Sequence, residues 1–231
     1  MVFSNLLFVY AFLPLCMLFY ILPKSITAKN IVLLIFSLIF YTWGEPVYVL
    51  LLILMTFFDW IFGILIEKAQ TKKIKKLFLL LACVVNLGLI GYFKYAGFFL
   101  TNVQSVFGIP EVIPQIALPI GISFYTFQLL SYVVDVYRNE VKAQKNFFWL
   151  LLYSSLFYQC IAGPIVRYSD VQREITERKA SFNDVSEGIT RFTVGLGKKA
   201  LLANTCGSLS DNLLVADSLI ASSPDVALAE L

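Results

Sequence analysis

The chain has 231 residues, 59% of them hydrophobic and 16% aromatic, with a mean hydropathy of +0.79; a soluble domain carries roughly 45–50% apolar residues. The apolar residues run on without interruption instead of forming one stripe of helical period, so lipid and not water is the expected main solvent. The net charge is only +3 and the lysines sit between apolar runs, which leaves no clustered basic face and argues against nucleic acid as a partner.

In chain order, Val2–Leu22 is a first span that ends at Pro23-Lys24. It lacks the basic n-region and small-residue cleavage site of a signal peptide, so it is expected to be retained. Ile31–Trp43 would rise only about 20 Å, and must borrow flanking residues or sit where the bilayer is thin. Gly44-Glu45-Pro46 connects it tightly to a third span, Val47–Ile66. Glu67–Lys76 reads as a polar loop holding Lys68, Lys72, Lys73, Lys75 and Lys76, followed by a fourth span, Leu77–Phe93. The positive-inside rule puts that loop, and the one with Lys24 and Lys29, in the cytoplasm. The N-terminus, the turn at Glu45 and the segment Thr101–Gln115 then lie outside. A fifth span, Leu118–Tyr137, returns to the cytoplasm at Arg138, Lys142 and Lys145, which agrees with this alternation. Phe147–Ala162 is a sixth apolar run, stopped by Gly163-Pro164. Arg167–Asp184 has nearly balanced charges, Ser186–Ala203 suits an amphipathic or interfacial helix, and Asn204–Leu231 is small and polar. The expected fold class is all-α, a polytopic membrane protein of about six transmembrane or re-entrant helices plus an interfacial helix.

Polar residues inside these runs are the candidate functional groups, because polar atoms in hydrocarbon must find partners. Ser123, Tyr125, Thr126 and Gln128 lie within the fifth span; Ser131, Tyr132 and Asp135 extend that polar side, with Arg138 at helical i, i+3 spacing from Asp135. They suit either ordinary interhelical hydrogen bonding or the wall of a polar tunnel. Gln159 and Arg167 flank Gly163-Pro164, a break whose irregular backbone is tolerated at membrane depth only in protein or facing a wet cavity. Arg167 is thus a cavity charge or a snorkelling interfacial one. Asp59 is a further intramembrane carboxylate, serving a pathway or paired structurally.

Cys16, Cys83, Cys160 and Cys206 are widely spaced without a C-x-x-C pair and read as small hydrophobes. The chain has no histidine, which removes the commonest metal ligand and general base together. No metal site and no bound cofactor are expected.

Leu118-Pro119-Ile120-Gly121-Ile122-Ser123-Phe124-Tyr125-Thr126-Phe127-Gln128, Asp135-Val136-Tyr137-Arg138, Ile161-Ala162-Gly163-Pro164-Ile165-Val166-Arg167-Tyr168 and Gly195-Leu196-Gly197-Lys198-Lys199 together resemble the membrane-bound O-acyltransferase family. The bacterial branch that O-acetylates alginate and related cell-wall and exported polysaccharides is the most similar, and the opening Met1-Val2-Phe3-Ser4-Asn5-Leu6-Leu7-Phe8 is also similar to its start. The resemblance implies a multi-pass protein of the bacterial cytoplasmic membrane, with helices ringed around a tunnel. It divides the chain into N-terminal transmembrane helices, 1–115, and the beginning of the family core, 116–231. An acyl donor such as acetyl-CoA or a carrier-bound acyl group is implied, as are a polysaccharide acceptor and an extracytoplasmic partner protein; D-alanyl transfer is a close variant. The family's essential histidine is expected beyond these residues. No catalytic residue is therefore assigned, and the tunnel candidates are Ser123, Tyr125, Gln128, Asp135, Arg138, Gln159 and Arg167.

Acyl transfer to a hydroxyl needs a base of near-neutral pKa and a positioned oxyanion donor. The 231 residues alone are accordingly expected not to transfer acyl groups. A non-catalytic membrane scaffold is the alternative reading. A small transporter shares the broken helices, but the paired discontinuous segments of inverted repeats are missing.

Overall fold

The computed structural model describes residues 5–107, 117–160, 163–211 and 213. Among them every regular element is helical. Two compact units are distinguished, Phe12–Arg178 and the combination of Val2–Ala11 with Lys179–Leu231. The division expected at 115/116 lies outside the described residues.

In the first unit, α1 (Leu13–Ile21) carries a proline in its first turn and continues directly from a π-helical turn, Phe8–Phe12. α2 (Ile26–Gly44) begins at Ser25, whose hydroxyl accepts from the Ala28 N–H at 3.2 Å. It has indeed borrowed flanking residues: its 19 residues rise about 28 Å, close to the hydrocarbon thickness of about 30 Å. The turn at Glu45-Pro46 leads to α3 (Val49–Lys68).

α4 (Lys72–Ile90) starts earlier than the sequence suggests. Thr71 accepts from the Ile74 N–H and caps the helix, so Lys72–Lys76 are its first turn and not part of a loop. The helix also does not stop at Phe93. A wider π-helical turn, Gly91–Tyr95, carries it into α5 (Ala96–Phe107).

α2, α3 and the Lys72–Leu100 stretch are long and apolar enough to cross a bilayer, while Phe8–Ile21 is apolar but shorter. The protein is a polytopic membrane protein on these grounds.

α6 (Ile122–Arg138) is the centre of this unit. Its Tyr125, Leu129, Tyr132, Val133 and Val136 are buried against Leu52, Met55 and Ile66 of α3 and Ala82 of α4. Small residues allow the close approach, as in membrane bundles generally. A Cβ on Gly63 would stand 2.5 Å from the Tyr132 hydroxyl.

The sixth apolar run is not one helix. α7 (Phe147–Ser155) ends, Leu156 leaves the helical conformation with ψ 116°, and α8 (Phe157–Cys160) is a single turn. Two groups freed by the break are bonded again: the Phe157 N–H donates to Ser37 Oγ of α2 at 3.3 Å, and the Tyr153 carbonyl accepts from Gln159 Nε2 at 2.9 Å. That is what allows a broken helix inside the apolar layer. α9 (Tyr168–Glu177) follows within the charge-balanced segment Arg167–Asp184.

In the second unit, α10 (Phe182–Gly197) begins four residues before the interfacial helix expected at Ser186 and passes into a π-helical turn, Lys198–Ala203. Phe182, Val185, Ile189 and Phe192 recur on one face and are exposed. Arg191 and Glu187 pair on the polar side. This is the pattern of an interfacial helix.

Candidate functional site

Gly121 opens α6 with φ 78°, a left-handed conformation suited to glycine. A Cβ there would meet the Cys160 carbonyl at 2.5 Å, so the start of α6 is pressed against α8. The strand of backbone before it is held by Tyr41, whose hydroxyl donates to the Ile120 carbonyl at 2.9 Å, and by Tyr48, which donates to the Ala117 carbonyl at 3.2 Å.

From this anchor Tyr125, Gln128, Tyr132 and Asp135 follow at helical spacing along one buried side of α6. The column is about 15 Å long at the usual helical rise. Among the described residues the Tyr125 hydroxyl and both amide atoms of Gln128 have no hydrogen-bond partner. Such groups cost roughly 1–3 kcal/mol each when buried unpaired in a protein, so they mark a place where packing alone does not account for the residue chosen.

Asp135 closes the column. Its side chain is fully buried, among the described residues its oxygens accept no hydrogen bond, and it pairs with Arg167, with Nη2 3.6 Å from Oδ1. Arg167 comes from the irregular segment between α8 and α9. Gly163 turns the chain with φ 117°, and the Val166 carbonyl is fixed by the Tyr153 hydroxyl, which donates at 2.8 Å. The guanidinium therefore has one face on Asp135 while half of the side chain stays open. A buried carboxylate fixing a half-open arginine is a preorganised donor for a negatively charged or carbonyl oxygen.

The remaining candidates divide. Ser123 is half-buried and lines a crevice of about 200 Å³ with Phe124, Phe127 and Ile165. Gln159 is committed to the Tyr153 carbonyl at the helix break. Arg138, expected near Asp135 by spacing, turns to Glu140 at 3.8 Å and is exposed. Asp59 is paired structurally, accepting from Asn86 Nδ2 at 2.8 and 3.0 Å.

Of the support around the pair, sequence reasoning found Tyr132 but not Tyr153, Tyr168 or Gln144. Tyr132, Tyr153 and Tyr168 pack edge to face, with centroids 5.0 and 5.2 Å apart. Gln144 stitches two of them together: its backbone N–H donates to the Tyr132 hydroxyl at 3.0 Å and its Nε2 to the Tyr168 hydroxyl at 2.8 Å. A buried tyrosine needs a partner for its hydroxyl, which is the signal that could have pointed to them.

The comparisons agree with the motifs. The chain is 37% identical over 217 residues to the probable alginate O-acetylase AlgI of Pseudomonas aeruginosa, covering 92% of this chain and 42% of that protein. It is 36% identical to the probable alginate O-acetylase AlgI of Azotobacter vinelandii, over 92% of this chain and 43% of that one. The peptidoglycan O-acetyltransferase of Helicobacter pylori is 30% identical, over 91% of this chain and 46% of its own length. The chain thus spans less than half the length of the curated relatives it matches. No family model matches it. No solved structure matches it significantly.

Proposed function

We propose, for a chain that belongs with the N-terminal part of the membrane-bound O-acyltransferases of the alginate O-acetylase kind, that it builds one wall of an enzyme transferring acetyl groups to hydroxyls of an exported or cell-wall polysaccharide. The observation that carries this reading is the match over 92% of the chain to proteins named for that transfer.

In the reaction, an acceptor hydroxyl oxygen attacks the carbonyl carbon of the acyl donor. The hydroxyl proton passes to a base, the tetrahedral oxyanion collapses, and the donor's leaving group departs. A histidine outside these 231 residues supplies the base in this proposal, since the chain itself has none. Arg167, held by Asp135, supplies positive charge where the donor's phosphates or the oxyanion would lie. Gln159 acts through the backbone by keeping the α7–α8 break in shape. The donor is acetyl-CoA or a carrier-bound acyl group, and an extracytoplasmic partner hands on to the polysaccharide. α1, α2, α3, α4, α6 and the broken α7–α8 pair cross or re-enter the cytoplasmic membrane, with Lys24 and Lys29, Lys68 to Lys76 and Arg138 to Lys145 inside.

The test is complementation of cells that make the polysaccharide but lack its O-acetylase, with the complete protein and O-acetyl content read by NMR. Arg167→Ala and Asp135→Asn should each lower acetylation by about a hundredfold, the usual cost of misplacing a catalytic environment, at unchanged abundance in the membrane. Full acetylation by Arg167→Ala would show that this arginine only reaches for the interface.

A further inference from the structure

Leu13, Cys16, Met17 and Tyr20 recur at i, i+3, i+4 and i+7 and make one face of α1. With Leu33 of α2 and Phe157 of α8 they line a crevice of about 210 Å³, which runs about 10 Å along the helix. Its apolar wall opens beside Leu15, Leu18 and Phe19, which are exposed, as lipid-facing side chains are. One end is different. Arg178 stands there with Nε donating to the Tyr20 hydroxyl at 2.7 Å and Nη2 donating to Asn30 Oδ1 at 2.8 Å. Asn30 is itself oriented by donating from Nδ2 to the Ile175 carbonyl at 2.7 Å.

Arg178 and Lys29 approach the same Tyr20 ring, at 5.3 and 5.2 Å from its centroid. Among the described residues neither is within ion-pairing distance of a carboxylate. Among the described residues the hydrogen-bond partners of Arg178 are neutral, and the guanidinium keeps donors to spare. Two cations thus share one aromatic ring at the mouth of an apolar slot without a counter-ion, and a part-buried charge of this kind is unfavourable unless something neutralises it.

We infer that this crevice binds an anionic phospholipid, its phosphate on Arg178 and Lys29 and the first part of an acyl chain along the Leu13–Tyr20 face of α1. A soluble anion would gain nothing from the slot, and a zwitterionic lipid brings its own cation beside the phosphate and so neutralises the pair less; the two halves together select a lipid with net negative charge. Basic pockets between transmembrane helices capture such headgroups elsewhere by the same balance. The site is separate from Asp135 and Arg167, and it stands whether or not the protein transfers acyl groups.

Native mass spectrometry of the full chain, released from detergent with equal amounts of phosphatidylglycerol and phosphatidylcholine, tests the site. The protein should retain phosphatidylglycerol preferentially. Lys29→Gln should weaken that retention about fivefold, and Arg178→Gln by at least as much, since each basic residue near an anionic surface contributes about that factor. Leu33→Trp, which fills the slot without touching the charges, should weaken both lipids, and excess glycerol 3-phosphate should displace neither. Among the described residues the Lys29 ammonium donates no hydrogen bond, its backbone N–H alone bonding to the Ser25 carbonyl, so its variant remains informative if Arg178→Gln fails to fold. Equal retention of the two lipids, an unchanged preference in Lys29→Gln, or displacement by glycerol 3-phosphate would each overturn the proposal.

Discussion

Gly121 combines two constraints that act independently, a φ of 78° and a neighbouring carbonyl 2.5 Å from where a Cβ would go. A side chain there meets backbone, which cannot swing aside. Gly121→Ala should therefore cost about 1–3 kcal/mol from the left-handed conformation alone, with the Cys160 clash in addition. Gly188→Ala, in α10 with nothing within 4 Å, should be neutral or mildly stabilising. Thermal unfolding of the two purified variants checks the contrast; equal melting points would mean that α8 moves away from α6 without penalty. The sequence marked Gly121 through its place after Pro119. It did not reveal Cys160, which lies 39 positions further on and meets it only when α8 has turned back. A comparable distance, 32 positions, hid Arg167 from Asp135. Helical spacing made Arg138 the obvious partner, but Arg138 lies past the last buried turn, where solvent and Glu140 compete for it. Gln128 and Asp135 were legible as candidates because a polar residue in an apolar run is visible without knowing its neighbours.

At the scale of the helix, starts proved harder to read than interiors. Lysines next to one another suggested a loop at Lys72–Lys76, yet Thr71 caps them into α4, since lysine is a good helix former and its charge can extend into water. α10 shows the strongest such start. Ser181 Oγ accepts from the Asp184 N–H at 3.2 Å, and the Asp184 carboxylate accepts in return from the Ser181 N–H at 2.8 Å. These donors, the Ser181 backbone N–H first and its hydroxyl second, hold the Asp184 carboxyl below the ordinary carboxylate value. The depressed folded value means that the cap contributes fully above the unfolded pKa of about 4 and is lost as the pH falls through the folded one. Amide exchange in the first turn of α10 should thus accelerate on acidification through that range, and Asp184→Asn should flatten the dependence. A pH-independent first turn in the wild-type protein would show that Ser181 caps it alone. The break at Leu156 was not legible, because it contains neither glycine nor proline; it is stabilised by Ser37 from another helix and by Gln159 from the next turn.

For the molecule as a whole, composition sufficed for the all-helical membrane class, and loop charge is the basis of the proposed orientation. Cysteines introduced at Lys73 and Gln104 in a background freed of Cys16, Cys83, Cys160 and Cys206 should label from opposite faces of intact cells, Gln104→Cys alone reacting with an impermeant reagent from outside. Labelling of both from outside would reverse or abolish the proposed orientation. The two positions sit near the ends of a single rod, because α4, its π-helical turn and α5 are continuous from Lys72 to Phe107. Such a rod is about 54 Å long at 1.5 Å per residue. Hydrocarbon takes up about 30 Å of it, and even a tilt of about 40° leaves a surplus of about 10 Å. The surplus has to ride in the headgroup layer, and the exposed Tyr92 and Tyr95 with Lys94 between them are the residues that favour that boundary. They act as a waterline on the rod. Phe98 and Phe99 ride just above it, so a thicker bilayer would submerge the tyrosines and a thinner one would strand the phenylalanines, and the thickness of the host membrane sets how deep the protein floats.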